Sequence, residues 1–450
     1  MSTPASLPSP ATEFPSTRLG WHRKVISLSV PIILANLTQP VLSAVDTAIA
    51  GHMSDIAALG GVALGGLFFS FVFWGFGFLR MGTTGLVAQA QGAGGGEPVR
   101  AIVLRALALA LAMGIVLLVM REPLIRLVIG LLGGSPTVQA RAFTYCSARI
   151  VSAPLVLSNF VILGYLLGAQ RARLALFVQL IVNIVNVVAV LAFVYGLHLG
   201  IAGIGAATAC ADAVGFVLGI TLLAMLRPRG LPPIRWPAVF ERHAMLHMIG
   251  INRDIFVRTA CLLFSFGWFA HAGARLGDTV LAANALLLNF QTFMAYALDG
   301  FANAAEALVG AALGARHREA LRQSIRVTLI WTGYGALAFS LCYFAIGPWI
   351  IDSLTDQQPV RATARAFLPW ASASPLFSAW CFALDGVFIG ATRTRDMMVS
   401  MAISMILFLV AAIALESLYG NHGLWAAFMV FMVLRAATLG VRLPKLIAAM

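Results

Sequence analysis

Uncharged runs of about twenty residues recur along this chain, each long enough to cross the hydrocarbon core of a bilayer as a helix. They occupy 25–45, 56–79, 150–170, 174–195, 279–298, 327–351, 366–384 and 397–415. Four further segments fit less cleanly: 106–120 is short, 199–226 contains Asp212, 243–270 contains Arg253, Asp254 and Arg258, and 420–441 contains Arg435. Together they predict an all-α integral membrane protein of twelve spans. Composition agrees, because 60% of the 450 residues are apolar and only 10% charged, whereas soluble domains carry about a quarter charged residues.

The basic residues orient the chain. On a twelve-span reading with the amino terminus inside, twenty of the 30 Lys and Arg fall in inner tails and loops or, as Arg435, toward the inner end of span twelve, six (Arg121, Arg126, Arg141, Arg275, Arg361, Arg365) in outer loops and four (Arg80, Arg149, Arg253, Arg258) within other spans. That bias follows the positive-inside rule and puts both termini in the cytoplasm of a bacterial-type inner membrane. A net charge of +13 distributed this way is a topology signal rather than a nucleic-acid-binding face. The five cysteines stand singly in apolar stretches, so neither a disulfide framework nor a metal site is predicted. Residues 1–22 read as a disordered cytoplasmic tail. Between spans six and seven, 227–242 is rich in Pro and Arg and reads as an extended linker, dividing a six-span bundle over 23–226 from another over 243–450.

The two halves resemble each other. QGAGGG after span two matches LGARHR after span eight at Gly92 and Gly314, and LLGAQRAR matches FIGATRTR at Gly168 and Gly390; both pairs are 222 positions apart. Six spans per repeat give two parallel copies, pseudo-symmetric about an axis along the membrane normal, with a central cavity expected between them.

Charge in the hydrocarbon region costs at least ~2.5 to 3.5 kcal/mol per residue, so intramembrane acids need a partner, a cavity or a proton. Span one carries Asn36, Gln39, Ser43 and Asp46 on one helical face, and Pro31 and Pro40 each remove a backbone hydrogen bond where the helix can bend. A titratable carboxylate on a bendable helix reads as a protonation switch; the plainer alternative is an Asp wetted near the helix end. Span eight aligns Thr292, Tyr296, Asp299, Asn303 and Glu306, which reads either as a site for a cation or basic substrate or as a helix-packing network. Span five offers Gln179, Asn183 and Asn186, and span six Thr208 and Asp212, able to complete a polar pocket around Asp46 if the three spans pack together. Asp385 in span ten sits in FALDG, echoing YALDG at Asp299. In span seven Asp254 and Arg258, four apart, are expected to pair with each other. Gly61/Gly65 and Gly215/Gly219 read as close-packing positions.

Several long motifs, in order from about Arg23 to Leu443, resemble the multidrug and toxic compound extrusion (MATE) family, in particular its DinF-like branch. They are PIILANLTQPVLSAVDTAIAGHM, FLRMGTTGLVAQAQGA, NRDIFVRT, YALDGFANAAEA and LDGVFIGATRTRDM. The resemblance implies two six-helix bundles around a central cavity, exporting amphipathic, often cationic, compounds in exchange for protons or sodium ions; the chain is expected to be a monomer. It implies that Asp46 is the protonation site, Pro31 the bending point and Asn186 part of the amino-terminal pocket. Some relatives carry a second acid further along span five; Val190 stands there in this chain, so Asp212 is the candidate to replace it. Asp299, Glu306 and Asp385 look like the carboxy-terminal acids of the branch. No cofactor is expected beyond the coupling ion. The competing readings are a sodium-coupled antiporter, a lipid-linked saccharide flippase, which calls for a strongly basic cavity, and a membrane enzyme, for which no HExxH or GxSxG occurs in the spans.

Overall fold

A backbone in hydrocarbon must satisfy its own hydrogen bonds, which a helix does within one segment. The computed structural model describes residues 14–53, 56–227 and 230–448, without the side chains of residues 39, 41, 43, 44 and 56. No strand occurs among the described residues. Span one is a single helix, Arg18–Gly51, passing through Pro31 and Pro40. Eleven more helical segments are long and apolar enough to cross a membrane: Ala57–Gly92, Gly96–Val119, Pro136–Gly168, Ala172–Gly196, Gly200–Met225, Trp236–Arg275, Asp278–Gly314, Arg318–Leu354, Gln358–Gly390, Thr394–Tyr419 and Asn421–Ala448. These are spans two to twelve.

Two compact units divide the chain. One is built from Leu34–Ala90 and Gly95–Asn252, the other from residues up to Ile33, Gln91–Gly94 and Arg253 onward. The helix of span one therefore contributes its two parts to different units, the change falling just after Pro31.

Local chemistry moves several boundaries from their sequence-based places. The tail expected to run to residue 22 gives way to helix at Arg18, because Trp21 is buried and Phe14 stacks on it at 6.1 Å between ring centroids. Residues 1–13 lie outside the described residues. Among the described residues of 227–241 the linker is helical only in one turn, Trp236–Val239, and it is tied to span three. Arg100 donates to the carbonyls of Pro232 (2.7 Å) and Pro233 (3.3 Å), and the buried Arg105 to those of Val239 (2.8 Å) and Ala238 (3.2 Å). Proline-rich chain leaves carbonyls without intrasegment donors, and guanidinium groups supply them. Span four begins at Pro136 rather than near residue 150: Ser135 caps it by accepting from the Val138 N–H at 3.4 Å, with Pro136 in the first turn. Arg141, expected in an outer loop, is therefore helical.

The duplication is written into the packing. Gly164 and Gly168 of span four pack against Arg80 and Thr84 of span two; Gly386 and Gly390 of span ten pack against Ala302 and Glu306 of span eight. Each residue of the second set lies 222 positions after its counterpart. Both are small-xxx-small contacts in which backbone meets backbone. The left-handed residues repeat in the same way: Gly94 and Arg316 (φ 77° and 51°), Gln170 and Thr392 (58° and 52°), and His198 and Gly420 (53° and 56°). Two of these pairs close their helices with equivalent bonds, Gly95 N to Ala90 O (3.1 Å) and His317 N to Ala312 O (2.9 Å), then Arg171 N to Leu166 O (2.7 Å) and Arg393 N to Phe388 O (2.9 Å), a Schellman closure. Thr392 is the most costly occupant, since a β-branched side chain resists positive φ. Replacing Thr392 with Gly should raise stability by about 1 kcal/mol, read as an upward shift of the thermal melting midpoint in detergent.

Candidate functional site

In the unit containing Asp46, span two meets span four through a ladder of residues four apart. An added Cβ at Gly61 would crowd Arg141, and one at Gly65 would collide with the Tyr145 ring. The next turn presents Phe69, over whose ring the Arg149 guanidinium lies at 4.4 Å from the centroid. The two glycines thus act as the close-packing positions expected of them, and their absent side chains let Tyr145 and Arg149 reach the interior. Arg149 Nη1 donates to the Tyr145 hydroxyl at 2.8 Å, and its Nε is buried without a hydrogen-bond partner among the described residues.

Two carboxylates lie within electrostatic range of this guanidinium, Asp212 and Asp46, and among the described residues it makes no direct ion pair with either. Asp212 of span six accepts from Ser152 Oγ at 2.8 Å, while its own carbonyl accepts from Asn159 Nδ2 at 2.9 Å. Ser152 is presented by the 3-10 turn Ile150–Ser152 that breaks span four before Pro154, a turn tightened because proline has no N–H to continue the α-helical ladder. Asp46 is 8% exposed, and its Oδ1 is buried with no hydrogen-bond partner among the described residues. Spans five and six pack together: Asn186 Nδ2 donates to Thr208 Oγ1 at 3.0 Å, leaving Asn186 Oδ1 buried and without a hydrogen-bond partner among the described residues. Asn183 accepts from Gln179 at 2.9 Å. Val190 is fully buried.

Asp46, Asp212, Asn186 and Thr208 thus all belong to this unit, as does the half-buried Asn36. The side chains of Gln39 and Ser43 lie outside the described residues. Arg149 and Tyr145 were missed as site residues, because 136–149 (PTVQARAFTYCSAR) is too polar to register as an apolar run. The available signal was a lone arginine abutting an uncharged span.

The other unit holds a separate charged cluster. Asp385 of span ten is buried between two arginines, accepting from Arg258 of span seven and from Arg435 of span twelve at 2.9 Å. The expected pairing of Asp254 with Arg258 is overturned: Asp254 instead pairs with Arg253 at 2.9 Å and accepts from Thr394 Oγ1 at 3.2 Å. Across-helix geometry outweighs the four-residue spacing, because Asp385 draws both Arg258 and Arg435. Asp299 is half-buried and within electrostatic range of Arg435; Asn303 and Glu306 are buried one and two turns further along span eight. Among the described residues no three His, Cys, Asp or Glu side chains are grouped to hold a metal ion.

Twelve helices with acids and arginines held inside them define a multi-pass membrane transporter, and comparison with known proteins agrees. The MatE family model matches residues 31–194 and 256–413, once in each half. Over 424 residues the chain is 39% identical to the DNA damage-inducible protein F of Escherichia coli K12, covering 93% of this chain and 90% of that one. It is 26% identical to the "Probable multidrug resistance protein NorM" of Acinetobacter baylyi, over 94% and 96% of the two chains. Among solved structures, an outward-facing multidrug resistance MATE family transporter of the MOP superfamily superposes with a TM-score of 0.83 at 18% identity, covering 95% of this chain and 96% of that one. A MOP superfamily transporter from Pyrococcus furiosus superposes at 0.86 and 17% identity over the same shares. The chain belongs to the MATE family and has its twelve-helix fold; it is a transporter and not an enzyme.

Proposed function

We propose that this transporter exports amphipathic, cationic small molecules by cation-coupled antiport, with protons as the coupling ion and Asp46 as the residue that carries them. One observation supports this most: two carboxylates, Asp46 and Asp212, share one guanidinium, Arg149, so the group holds one negative charge in excess when both acids are ionised. Buried charge that no fixed partner balances calls for a mobile cation. A proton on Asp46 meets that need, and so does a substrate cation, but not both together; exclusive occupancy is the arithmetic of antiport. Arg149 beside the acids opposes a sodium ion, which needs several oxygen ligands, whereas a proton needs one. Span one is the helix through which occupancy would be felt, with bending at Pro31 and Pro40 and with Asn36, Gln39, Ser43, Asn183 and Asn186 lining the substrate path.

The acids Asp299, Glu306 and Asp385, with Asn303, are assigned to a second polar region in the carboxy-terminal bundle. The flippase reading is disfavoured because each of the cluster arginines 149, 258 and 435 has an acid within electrostatic range, leaving little free positive charge for a diphosphate. The bundles 23–226 and 243–450, the linker 227–242, cytoplasmic termini and a monomeric state complete the proposal.

In proteoliposomes, wild-type protein is expected to drive efflux of a fluorescent cationic dye under a pH gradient and not under a sodium gradient. Asp46→Asn should insert normally and lose at least 90% of that rate, about a tenfold fall or more. Full efflux by the variant would remove Asp46 from the mechanism; efflux by wild type driven by sodium alone would replace the coupling ion.

A further inference from the structure

The helix of span nine, Arg318–Leu354, is 37 residues long, about 55 Å at 1.5 Å per residue, and exceeds the ~30 Å hydrocarbon core. Its first turns therefore lie at headgroup depth. The uncharged stretch begins at Val327, immediately after Arg326, so Arg322 and Arg326 sit where headgroup gives way to acyl chain. Both arginines are exposed, stand four apart on one face, and have no protein partner among the described residues.

They open onto a cleft of about 690 Å³ whose remaining wall includes Leu329 and Ile330 of the same helix and Ile447 of the carboxy-terminal helix Leu443–Ala448. The acid in this cleft, Glu319, accepts from Gln323 Nε2 at 2.8 Å. From Arg326 the face continues through Ile330 to Tyr334, Leu337 and Leu341, which are 60%, 46% and 61% exposed. The result is a track with two cations at its head and an unbroken apolar stripe below. A smaller cleft of about 350 Å³, on residues neighbouring that helix, is lined by Arg393, Arg442 and Lys445, with Arg442 held by Asp396 at 3.0 Å.

We infer that the Arg322–Arg326 cleft is a binding site for an anionic glycerophospholipid of the inner leaflet, its phosphate on the two guanidinium groups and an acyl chain along Ile330, Tyr334, Leu337 and Leu341. Charge complementarity selects an anionic headgroup. The apolar track selects a lipid over a free anion, because inorganic phosphate has nothing to place on it. The arginine bias puts this end of the helix on the cytoplasmic side.

The test is native mass spectrometry of the full chain in non-ionic detergent, titrated with phosphatidylglycerol or phosphatidylcholine. Wild type is expected to retain phosphatidylglycerol and not phosphatidylcholine. Arg322→Gln with Arg326→Gln should weaken retention about 30-fold, the loss of two basic contacts, while R322K/R326K keeps most of it. Binding to wild type should also fall as salt is raised, a readout that needs no variant. Equal retention by the glutamine variant, equal binding of phosphatidylcholine, salt-independent binding, or displacement by millimolar inorganic phosphate would each overturn the assignment, the last by showing a site for a free anion.

Discussion

Arg149→Met is expected to destabilise the protein by about 1–3 kcal/mol, the usual cost of leaving buried polar groups without the partner that compensates them. Its guanidinium lies within electrostatic range of both Asp46 and Asp212, it lies on the Phe69 ring and it bonds the Tyr145 hydroxyl. Methionine fills most of the volume and keeps the apolar contact, so the loss should come from the two stranded carboxylates. Combining Arg149→Met with Asp46→Asn and Asp212→Asn should then bring stability back to within about 1 kcal/mol of wild type, since neutral amides no longer need a counter-charge. Denaturation in mixed detergent micelles would measure both steps. If the triple variant stays as unstable as the single one, packing and not charge is what Arg149 supplies.

Gly390→Leu should be comparably damaging for a different reason. A side chain there would run into the backbone carbonyl of Glu306, which is held within its own helix and cannot rotate away as a flexible side chain would. Separating the two helices would forfeit the close packing that holds spans together in lipid, where the hydrophobic effect between helices is absent. Overpacking of this kind costs about 1–3 kcal/mol and occasionally more, so Gly390→Leu is expected at or above the top of that range. Even Gly390→Ala should be destabilising, whereas Gly66→Ala, with nothing within 4 Å of the added atom, should be neutral or stabilising by up to about 1 kcal/mol. The comparison is read as folded yield and thermal midpoint across the three variants.

How far the sequence reveals this molecule depends on what kind of force acts. Spans were legible because apolar length is a one-dimensional property, and span one, although interrupted by Pro31 and Pro40, still appears as a single helix. The repeat was legible from Gly92, Gly168, Gly314 and Gly390, because they recur at one fixed offset. Asp46 stood out by its cost. What stayed hidden was partnership: Arg258 reaches across to Asp385, 127 positions away, in preference to the acid one turn from it, and no local spacing rule contains that choice. Arg149 was hidden for a related reason, since the amphipathic half of span four resembles a loop until span two is packed against it.

The matched left-handed residues and glycine contacts carry one more implication. The three arginines and three acids at the centre of the two charged clusters have no charged counterpart 222 positions away: Ala371, Trp268 and Leu434 answer to Arg149, Asp46 and Asp212, while Asn36, Leu163 and Ala213 answer to Arg258, Asp385 and Arg435. The copies share charge at their helix ends, where Glu97, Arg100, Arg171 and Arg173 answer to Glu319, Arg322, Arg393 and Arg395, and they differ in the charge held within the two clusters. Having an even number of crossings, the ancestral unit would have been threaded into the bilayer in one sense both times, so joining two of them end to end required only a connector and no inversion.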